Sequence, residues 1–563
     1  MPLDSTVYSI EPNIAFLDIL AAGLLDRHGD QKSGLSDVQV YLPNRRACRG
    51  LAEAFLRQGD GSGLLLPKLI PLGEVESADE LLISEDQSGL KDSLNILPTI
   101  SSFNRLLALS RLIIEAEKKK SSESISIASA VRLASSLVLL LEEVETEQLD
   151  FSNLPKLVES DYAAHWQLTL KFLGIISEQW PRVLNSLGCE NPAKRRNILS
   201  SELIKSWRRH PPSGPIYAAG STGSIPATAS ILVSIANLPR GAVILPGYDL
   251  SMDETERNNL PITHPQFGMA HLVELLEIKS CDIKPWSKAN FAVCSPDRVR
   301  LIRAATTSSD SDVTAKPAFN IKEALYNVNF ISCPSLQEEA GVIALAMREV
   351  LETPGRTAAL VTPDRQLARR VASELSRWGI IIDDSAGQSL SLTPIGTYLN
   401  LSAACFANQF APIPLLSFLK HPLATNGLNP DSFKKYVRLL ERLVFRGPRP
   451  GPGSRGIEEA LSRLPQETDY KRKKTKELIE WFDNWKIAIT DLEKLFLSKN
   501  PVPLLELIDT HMKLAEKFAA TDQIQGSERL WSGDDGEIAA SFITEFREAA
   551  KSFPAISPQD YPT

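Results

Sequence analysis

The sequence has few cysteines and no pattern that pairs them. Six cysteines are scattered over 563 residues, and none lies in a CxxC pair. A disulfide framework or a zinc site needs closer spacing, so the thiols are predicted to be reduced and buried, as in a cytosolic protein. The seven histidines show no HExxH spacing or other metal-ligand pattern. The sequence therefore predicts no metal site and a cytoplasmic location.

Long apolar runs and leader signals are also missing. The most apolar stretch, ASSLVLLLEEVE at 134–145, reaches acidic residues well short of the ~20 apolar residues that a membrane span needs. Asp4 precedes the first apolar run and no basic segment lies before it, which argues against a signal peptide. No GxSxG nucleophile elbow occurs. We expect neither membrane contact nor a small-molecule substrate.

The charge balance does not decide the class of partner. There are 61 basic and 69 acidic residues, giving a net charge of −8. A nucleic-acid-binding protein can be acidic overall if its basic groups cluster, so their distribution must be examined. A chain of this length is expected to fold as roughly three or four domains.

Short apolar runs followed by amphipathic helices indicate a first α/β zone. VYSI at 7–10 precedes a predicted helix over 14–27, and VQVYLP at 38–43 precedes a helix that begins near Asn44. After a mostly helical stretch over 75–211, the pattern resumes with PIYAAG (215–220), a helix over 226–237 and AVILPG (242–247).

A second α/β zone follows a small, polar stretch at 304–317 that is typical of a linker. It consists of YNVNFISC (326–333), a helix over 336–352, TAALVTP (357–363), another helix and GIII (379–382). From about 430 the pattern is again helical, interrupted by FRGPRPGPGSRG (445–456), whose prolines and glycines predict a loop.

One strand–loop–helix pattern occurs in both zones. LPNRRACRGLAEAFLRQG at 42–59 and TPDRQLARRVASELSRWG at 362–379 align without gaps, at the offset that pairs Arg45 with Arg365. Asn44 and Asp364 are both good helix N-caps. Internal duplication of this kind predicts two related α/β domains. The identical pairs are Pro43/Pro363, Arg45/Arg365, Arg49/Arg369, Ala52/Ala372, Arg57/Arg377 and Gly59/Gly379.

Arginines crowd the first turns of both predicted helices. The first copy has Arg45, Arg46 and Arg49, and the second has Arg365, Arg369 and Arg370. A helix N-terminus already carries partial positive charge, so cations there are unfavourable unless an anion is bound. A phosphate would be attracted by the helix dipole, the free amides and the guanidinium groups together. The alternative is that these arginines pair with acidic neighbours.

These segments resemble a known family. Two α/β zones with helical insertions resemble the tandem RecA-like domains of a superfamily 1 helicase, in degenerate form. More specifically, the two repeat copies and the segments PKLIPLGEVE, YAAGSTGSIPATASILVSIANLPRGAVILPGYDL, HPQFG, LLSFLKHPLA, FRGPRPGPG and LWSGDDGE resemble the AddB subunit of alphaproteobacterial AddAB helicase–nucleases. The likeness runs in order over nearly the whole chain.

The resemblance implies a domain order. It comprises a first RecA-like domain in two parts (1–74 and 212–303) around a helical insertion (75–211), and a linker and boundary (304–325). The first part of a second RecA-like domain (326–429) follows, and then a helical insertion (430–563) with which the chain ends before the nuclease region. It further implies an AddA partner and contact with single- and double-stranded DNA ends during double-strand-break repair. By the same resemblance, the DNA-contacting residues are Asn44, Arg45, Arg46, Arg49, Asp364, Arg365, Arg369, Arg446 and Arg449.

The catalytic parts of the family are missing from this sequence. The family's C-terminal half carries a carboxylate nuclease and a cysteine-held iron–sulfur cluster, but no G-x-x-D-R-x-D motif occurs and the last cysteine is Cys405. We therefore expect no cofactor in this chain and interpret it as an N-terminal portion.

A P-loop motor needs a phosphate-binding Lys and a Mg²⁺-binding acid. After VYSI no lysine occurs until Lys32, and PIYAAG ends without an acid. The sequence thus predicts a DNA-binding subunit without hydrolysis of its own. The alternatives are an ATPase that uses AGSTGS (219–224) as a non-standard phosphate loop, or a protein scaffold without DNA contact.

Other polar groups are better explained by structure than by chemistry. Asp249 with Asp253, and Asp383 with Asp384, are typical of turns and caps. His264 is expected in a turn, and the run KRKKTK (471–476) on a solvated helix face.

Overall fold

The chain, described from a computed structural model, divides into two compact units. Unit 1 comprises Met1–Ser124 and Ala130–Asn327, and unit 2 comprises Ile125–Ser129 and Val328–Thr563. The structure describes residues 6–29, 34–59, 63–72, 96–118, 125–151, 173–250, 252, 254–286, 295–306, 319–464 and 469–562. Of the predicted linker, 304–306 end a helix and 307–317 lie outside the described residues.

Unit 1 contains a six-stranded, fully parallel sheet in the order β3-β2-β4-β5-β1-β6. Strands β1, β4 and β5, three of the four inner strands, are buried on both faces, as expected of parallel strands covered by helices. The strands are β1 (Val7–Ile10), β2 (Gln39–Leu42), β3 (Lys68–Pro71), β4 (Ile216–Ala219), β5 (Gly241–Pro246) and β6 (Lys284–Pro285). The strands predicted for the first zone are therefore confirmed.

The helices of unit 1 follow the predicted pattern. A π-helical turn, Ile175–Gln179, precedes the fifth. The helices are α1 (Phe16–His28), α2 (Arg45–Gln58), α3 (Ser102–Lys118), α4 (Ile127–Thr146), α5 (Trp180–Leu187), α6 (Pro192–Arg209), α7 (Pro226–Ala236), α8 (Glu254–Asn258), α9 (Phe267–Leu275), α10 (Pro296–Thr306) and α11 (Ile321–Ala324).

Each face of the sheet has its own apolar core. One face packs against α1 and α2 in a core that includes Phe55 and Trp286. The opposite face packs against α6, α7 and α9, where Tyr41 meets the ring of Trp207 edge-on at 5.9 Å. Alternation along β2 places Val40 in the first core and Tyr41 in the second. Both faces are thus closed to water.

Trp286, which directly follows the edge strand β6, packs against α1. Its indole N–H donates to the Leu20 carbonyl at 3.3 Å, and the Arg27 guanidinium carbon lies 3.8 Å from the ring centroid. Arg27 also donates to the backbone carbonyls of Gly23 and Trp286. A Cβ at Gly23 would lie 2.2 Å from the indole nitrogen. Only glycine fits at this crossing.

Unit 2 is built mainly of helices. A π-helical turn, Glu441–Phe445, follows the fifth of them. The helices are α12 (Leu336–Leu351), α13 (Arg365–Ser376), α14 (Pro394–Ala407), α15 (Pro412–Leu419), α16 (Pro430–Leu440), α17 (Gly453–Ser462), α18 (Asp469–Phe496), α19 (Leu504–Ala519), α20 (Gly526–Leu530) and α21 (Gly533–Ala550). Trp481, Phe482 and Trp485 on α18 are buried in this helical layer.

A buried polar chain crosses the helical layer of unit 2. The Nε2 atom of His511 lies 2.7 Å from the Ser402 hydroxyl, and its Nδ1 atom lies 3.0 Å from the Tyr561 hydroxyl. Burial lowers the pKa of His511 to about 4. The imidazole is therefore neutral at pH 7, and its two nitrogens are both used in holding the layer together.

The strands predicted for the second α/β zone form no sheet in the described part of unit 2. The segments 328–333, 357–362 and 380–384 are irregular backbone, and no ladder joins them among the described residues. Leu360, Ile380 and Ile382 nevertheless pack against a core formed by α12 and α13. An extended apolar segment becomes a strand only where a neighbour offers backbone groups, so the prediction of strands there was wrong for the described residues.

The Pro/Gly-rich loop is shorter than predicted. Helix α17 begins at Gly453, so 453–456 are helical and only 446–452 form the loop. Gly453 has a φ of +76° and donates its amide to the Gln409 carbonyl. The left-handed turn at this glycine lets a helix start directly after the last proline.

Candidate nucleic-acid interface

The duplicated pattern forms the same local structure in both units. Helix α2 begins at Arg45 and α13 at Arg365, so the two helices start at residues that the sequence repeat pairs. The Asn44 side chain accepts a hydrogen bond from the Ala47 amide at 2.9 Å, and Asp364 accepts from the Gln366 amide at 2.7 Å. Both act as N-caps, which was the predicted structural role of this pair.

The correspondence extends further than the sequence analysis found. Helix α1 begins at Phe16 and α12 at Leu336, and the same offset relates these two positions. In each unit the earlier helix packs against the arginine-rich one. The signal in the sequence is weak here, because the two helices share a hydrophobic pattern rather than identical residues.

The arginines of unit 1 lie on the solvent side of α2. Arg45, Arg46 and Arg49 are all exposed. Arg45 and Arg49 are one helical turn apart and therefore share one helix face. Arg49 makes no hydrogen bond or ion pair with a described residue. Arg49, in the second turn of α2, thus presents positive charge to solvent that no described residue neutralises.

In unit 2 the equivalent arginines differ from one another. Arg365 donates to both carboxylate oxygens of Asp384 and to the Gly387 carbonyl. Its pKa is raised, mainly because of the hydrogen bond to Asp384. Arg369 is exposed and has no ion pair among the described residues. The alternative interpretation, pairing with an acidic neighbour, therefore applies to Arg365 and not to Arg369.

The loop after α16 contributes a second basic site in unit 2. Arg446 lies 3.5 Å from Glu441, which also accepts Lys420 at 2.7 Å. The hydrogen bond from Lys420 is the main reason that the pKa of Glu441 is lowered. Arg449 is exposed and forms no ion pair with the residues described. Of the two predicted contacts in this loop, Arg449 is the less neutralised.

The turn that would hold a phosphate in a motor is packed against the sheet. A Cβ at Gly220, after β4, would lie 3.2 Å from the Phe16 ring, and one at Gly247, after β5, would lie 3.2 Å from Pro12. Apolar side chains thus occupy the space beside the backbone at the carboxyl ends of both central strands. The AGSTGS loop is packed too, because Gly223 faces Leu272 of α9.

The other polar residues that were weighed have structural partners. Asp249 accepts Arg303 at 3.3 Å, and Asp253 lies outside the described residues. His264 accepts the Gln266 amide through Nδ1 within a turn. Within the described ranges, no group of His, Cys, Asp and Glu side chains could hold a metal ion.

The cysteine prediction is correct only in part. Five cysteines are described and all are free. Cys405 is buried, and burial raises the pKa of its thiol, but Cys281 is exposed. Cys48, Cys189 and Cys333 are half-buried, so among the described cysteines the prediction of buried thiols is correct only for Cys405.

Neither the protein-family models nor the curated proteins contain a match to this chain. No helix in the described part of the chain combines the length and apolar character that a bilayer crossing requires.

Proposed function

We propose that this chain is a DNA-binding subunit of a helicase–nuclease that processes double-strand breaks before homologous recombination. In this proposal it is a cytoplasmic, AddB-like protein with two degenerate RecA-like domains, and it acts beside an AddA motor. It holds single-stranded DNA by its phosphates and does not read bases.

One observation carries this proposal. A capped helix with exposed arginines on its first turns occurs once in each unit, and Arg49 and Arg369 occupy equivalent positions. Cations at a helix N-terminus are unfavourable without an anion. A strand of phosphates would satisfy guanidinium groups, helix dipoles and amides at both places.

The packing in unit 1 supports a role without hydrolysis. Pro12, in the turn after β1 where a motor would hold a nucleotide's phosphates, packs beside Gly247, and Phe16 at the start of α1 packs beside Gly220. No lysine stands in the turn after β1 to neutralise those phosphates. The fold would thus keep a surface for polyanions while lacking the parts that cleave ATP.

A salt titration of DNA binding tests the proposal. Fluorescence anisotropy with a labelled oligothymidylate measures the affinity of the whole chain between about 50 and 200 mM NaCl. We expect the logarithm of affinity to fall linearly with the logarithm of salt, by about 0.7 for each phosphate neutralised. Undetectable binding at the lowest salt would favour the scaffold alternative instead.

A further inference from the structure

Helix α16 and the loop that follows it concentrate positive charge in unit 2. Between Ser432 and Gly456 the sequence has seven basic residues and one acidic residue, in a chain whose net charge is −8. A basic patch of this kind on an acidic protein marks an electrostatic binding surface. The basic residues that precede α17 are all exposed, and they are Lys434, Lys435, Arg438, Arg442, Arg446 and Arg449.

Three of these cations form a line along the helix, which we call the α16 stripe. Lys434, Arg438 and Arg442 are four residues apart, so neighbours in the series lie one turn apart on one helix face. In a continuous α-helix this spacing drifts by about 40° per step, because a turn holds about 3.6 residues. The π-helical turn Glu441–Phe445 holds more residues per turn. It therefore reduces the drift and keeps Arg446 close to the line of the stripe.

The protein does not neutralise the α16 stripe. None of its three cations makes an ion pair with a described residue. The one acidic residue of the segment, Glu441, accepts Lys420 at 2.7 Å and lies 3.5 Å from Arg446. Elsewhere in unit 2 exposed cations do pair, as Arg547 does with Asp509 at 2.6 Å. Like charges one turn apart destabilise a helix, and an anion lying across the stripe would remove that cost.

The chemistry of the stripe favours the backbone of a nucleic-acid duplex. From Lys434 to Arg442 the helix rises about 12 Å, and one strand of a DNA duplex presents about three or four phosphates over that length. Sites for single strands add exposed aromatic rings on which bases stack. The rings of α16 pack against α18 instead, because Phe433 is buried and Tyr436 is half-buried and stacks on Trp481, with 5.7 Å between the ring centroids.

A protein partner fits the stripe less well. The centre of a stable protein interface is apolar. Within the segment 430–446, all of which is described, the only large apolar side chain that is exposed is that of Leu443, at 40%. The surface therefore offers charge to phosphates, with little apolar area for a protein and no exposed ring for a base.

We propose that the α16 stripe binds the phosphate backbone of double-stranded DNA. Helix α16 lies along one strand, and its three cations contact successive phosphates. The loop that carries Arg446 and Arg449 continues this contact. The site is additional to the one in the proposed function, which holds single-stranded DNA at α2 and α13.

Fluorescence anisotropy of matched variants tests this with a labelled blunt duplex of about 20 base pairs, or two turns. We expect Arg438→Ala/Arg442→Ala to weaken duplex binding at least fivefold and to lower the salt slope by about 1.8, since each phosphate contact contributes about 0.9. Arg438→Lys/Arg442→Lys keeps both charges and should bind within about twofold of the unchanged chain. The control, Lys513→Ala/Lys517→Ala on α19, removes two exposed cations that also lack an ion pair among the described residues. It should bind as the unchanged chain does.

Titration with oligothymidylate separates this site from the proposed function. The Arg438→Ala/Arg442→Ala variant should bind that single strand within about twofold of the unchanged chain. Its loss of duplex affinity would support the proposal even if oligothymidylate bound to neither chain, a result that would contradict the proposed function alone.

Three results would overturn the proposal. They are no duplex binding by the unchanged chain at about 50 mM NaCl, duplex binding that Arg438→Ala/Arg442→Ala leaves unchanged, and an equal loss on both DNA probes. Binding of polyglutamate that this variant loses, with duplex affinity retained, would instead make an acidic protein segment the occupant.

Discussion

Arg365 and Asp384 form a two-pronged ion pair, with Nη1 3.0 Å from Oδ1 and Nη2 2.6 Å from Oδ2. Arg369, one turn further along α13, has no such partner among the described residues. The fork matches the geometry with which arginine also holds phosphate. Asp384 therefore competes with any phosphate that approaches the N-terminus of α13.

Replacing Asp384 by alanine is expected to tighten single-stranded DNA binding at low salt by roughly two- to fivefold, because a negative charge leaves and a guanidinium is released. Anisotropy at about 50 mM NaCl measures the change. Glu374→Gln is the matched control, since Glu374 pairs with Arg377 in the last turn of the same helix. Weaker binding by the Asp384 variant would show that the carboxylate positions Arg365 for its contact.

ATP hydrolysis by the purified chain is expected to be absent with or without single-stranded DNA. Phe16 and Pro12 fill the space beside Gly220 and Gly247, and no lysine is placed to hold a γ-phosphate in the turn after β1. Phosphate release, followed with a coupled assay, measures this. DNA-stimulated release that is lost when Ser221 and Thr222 become alanine would instead favour the ATPase alternative.

Gly23→Ala is expected to destabilise unit 1 by about 1–3 kcal/mol, because the new methyl group would overlap the buried Trp286 ring. Urea unfolding followed by tryptophan fluorescence measures the loss. Gly174→Ala is the control in the same unit, since a Cβ at Gly174 meets no atom within 4 Å. Equal midpoints for the two variants would mean that the Trp286 crossing tolerates an added carbon.

The stability of unit 2 is expected to fall as the pH drops below about 6.5. The pKa of His511 is about 4 in the folded chain and 6.5 for the free side chain. Between these pH values the unfolded chain binds a proton that the folded chain does not, and this proton stabilises the unfolded state. The loss between pH 7 and pH 5 is about 2 kcal/mol. His421 acts in the same direction, because burial lowers its pKa too.

Urea unfolding at pH 7 and pH 5 checks this prediction. In His511→Gln the difference between the two pH values should shrink by most of that amount, whatever the variant's stability at pH 7. An unchanged difference would assign the acid sensitivity to other groups.

The sequence predicted the first α/β zone well because its signals are local. Buried apolar runs such as 215–220 and 242–247 mark central strands, and N-caps such as Asn44 mark helix starts. The second zone carries the same local signals at 357–363, yet its segments remain unpaired in the described structure. Whether two segments form paired strands depends on whether the fold places them side by side, and the local pattern of residue types does not determine this.

The sequence predicted where the arginines of the candidate site lie, but not which residues they pair with. The duplication fixed where the arginines stand, since α2 and α13 begin at equivalent residues. Nothing in the sequence marks Asp384 as the partner of Arg365, because the two are 19 residues apart and meet only through the turn at 384–387. An ion pair between residues that are distant in sequence produces no periodic pattern of residue types.

The affinity of a paired arginine variant for single-stranded DNA tests the account most directly. The double variant Arg49→Ala/Arg369→Ala removes one exposed guanidinium group from each unit. The control double variant, Arg57→Ala/Arg377→Ala, also removes one guanidinium group from each unit, but at the C-terminal ends of the same two helices. We predict that the first pair weakens oligothymidylate binding at least tenfold and lowers the salt slope by about 1.4, while the second pair changes neither. Equal affinities for both double variants and the unchanged chain would contradict the account.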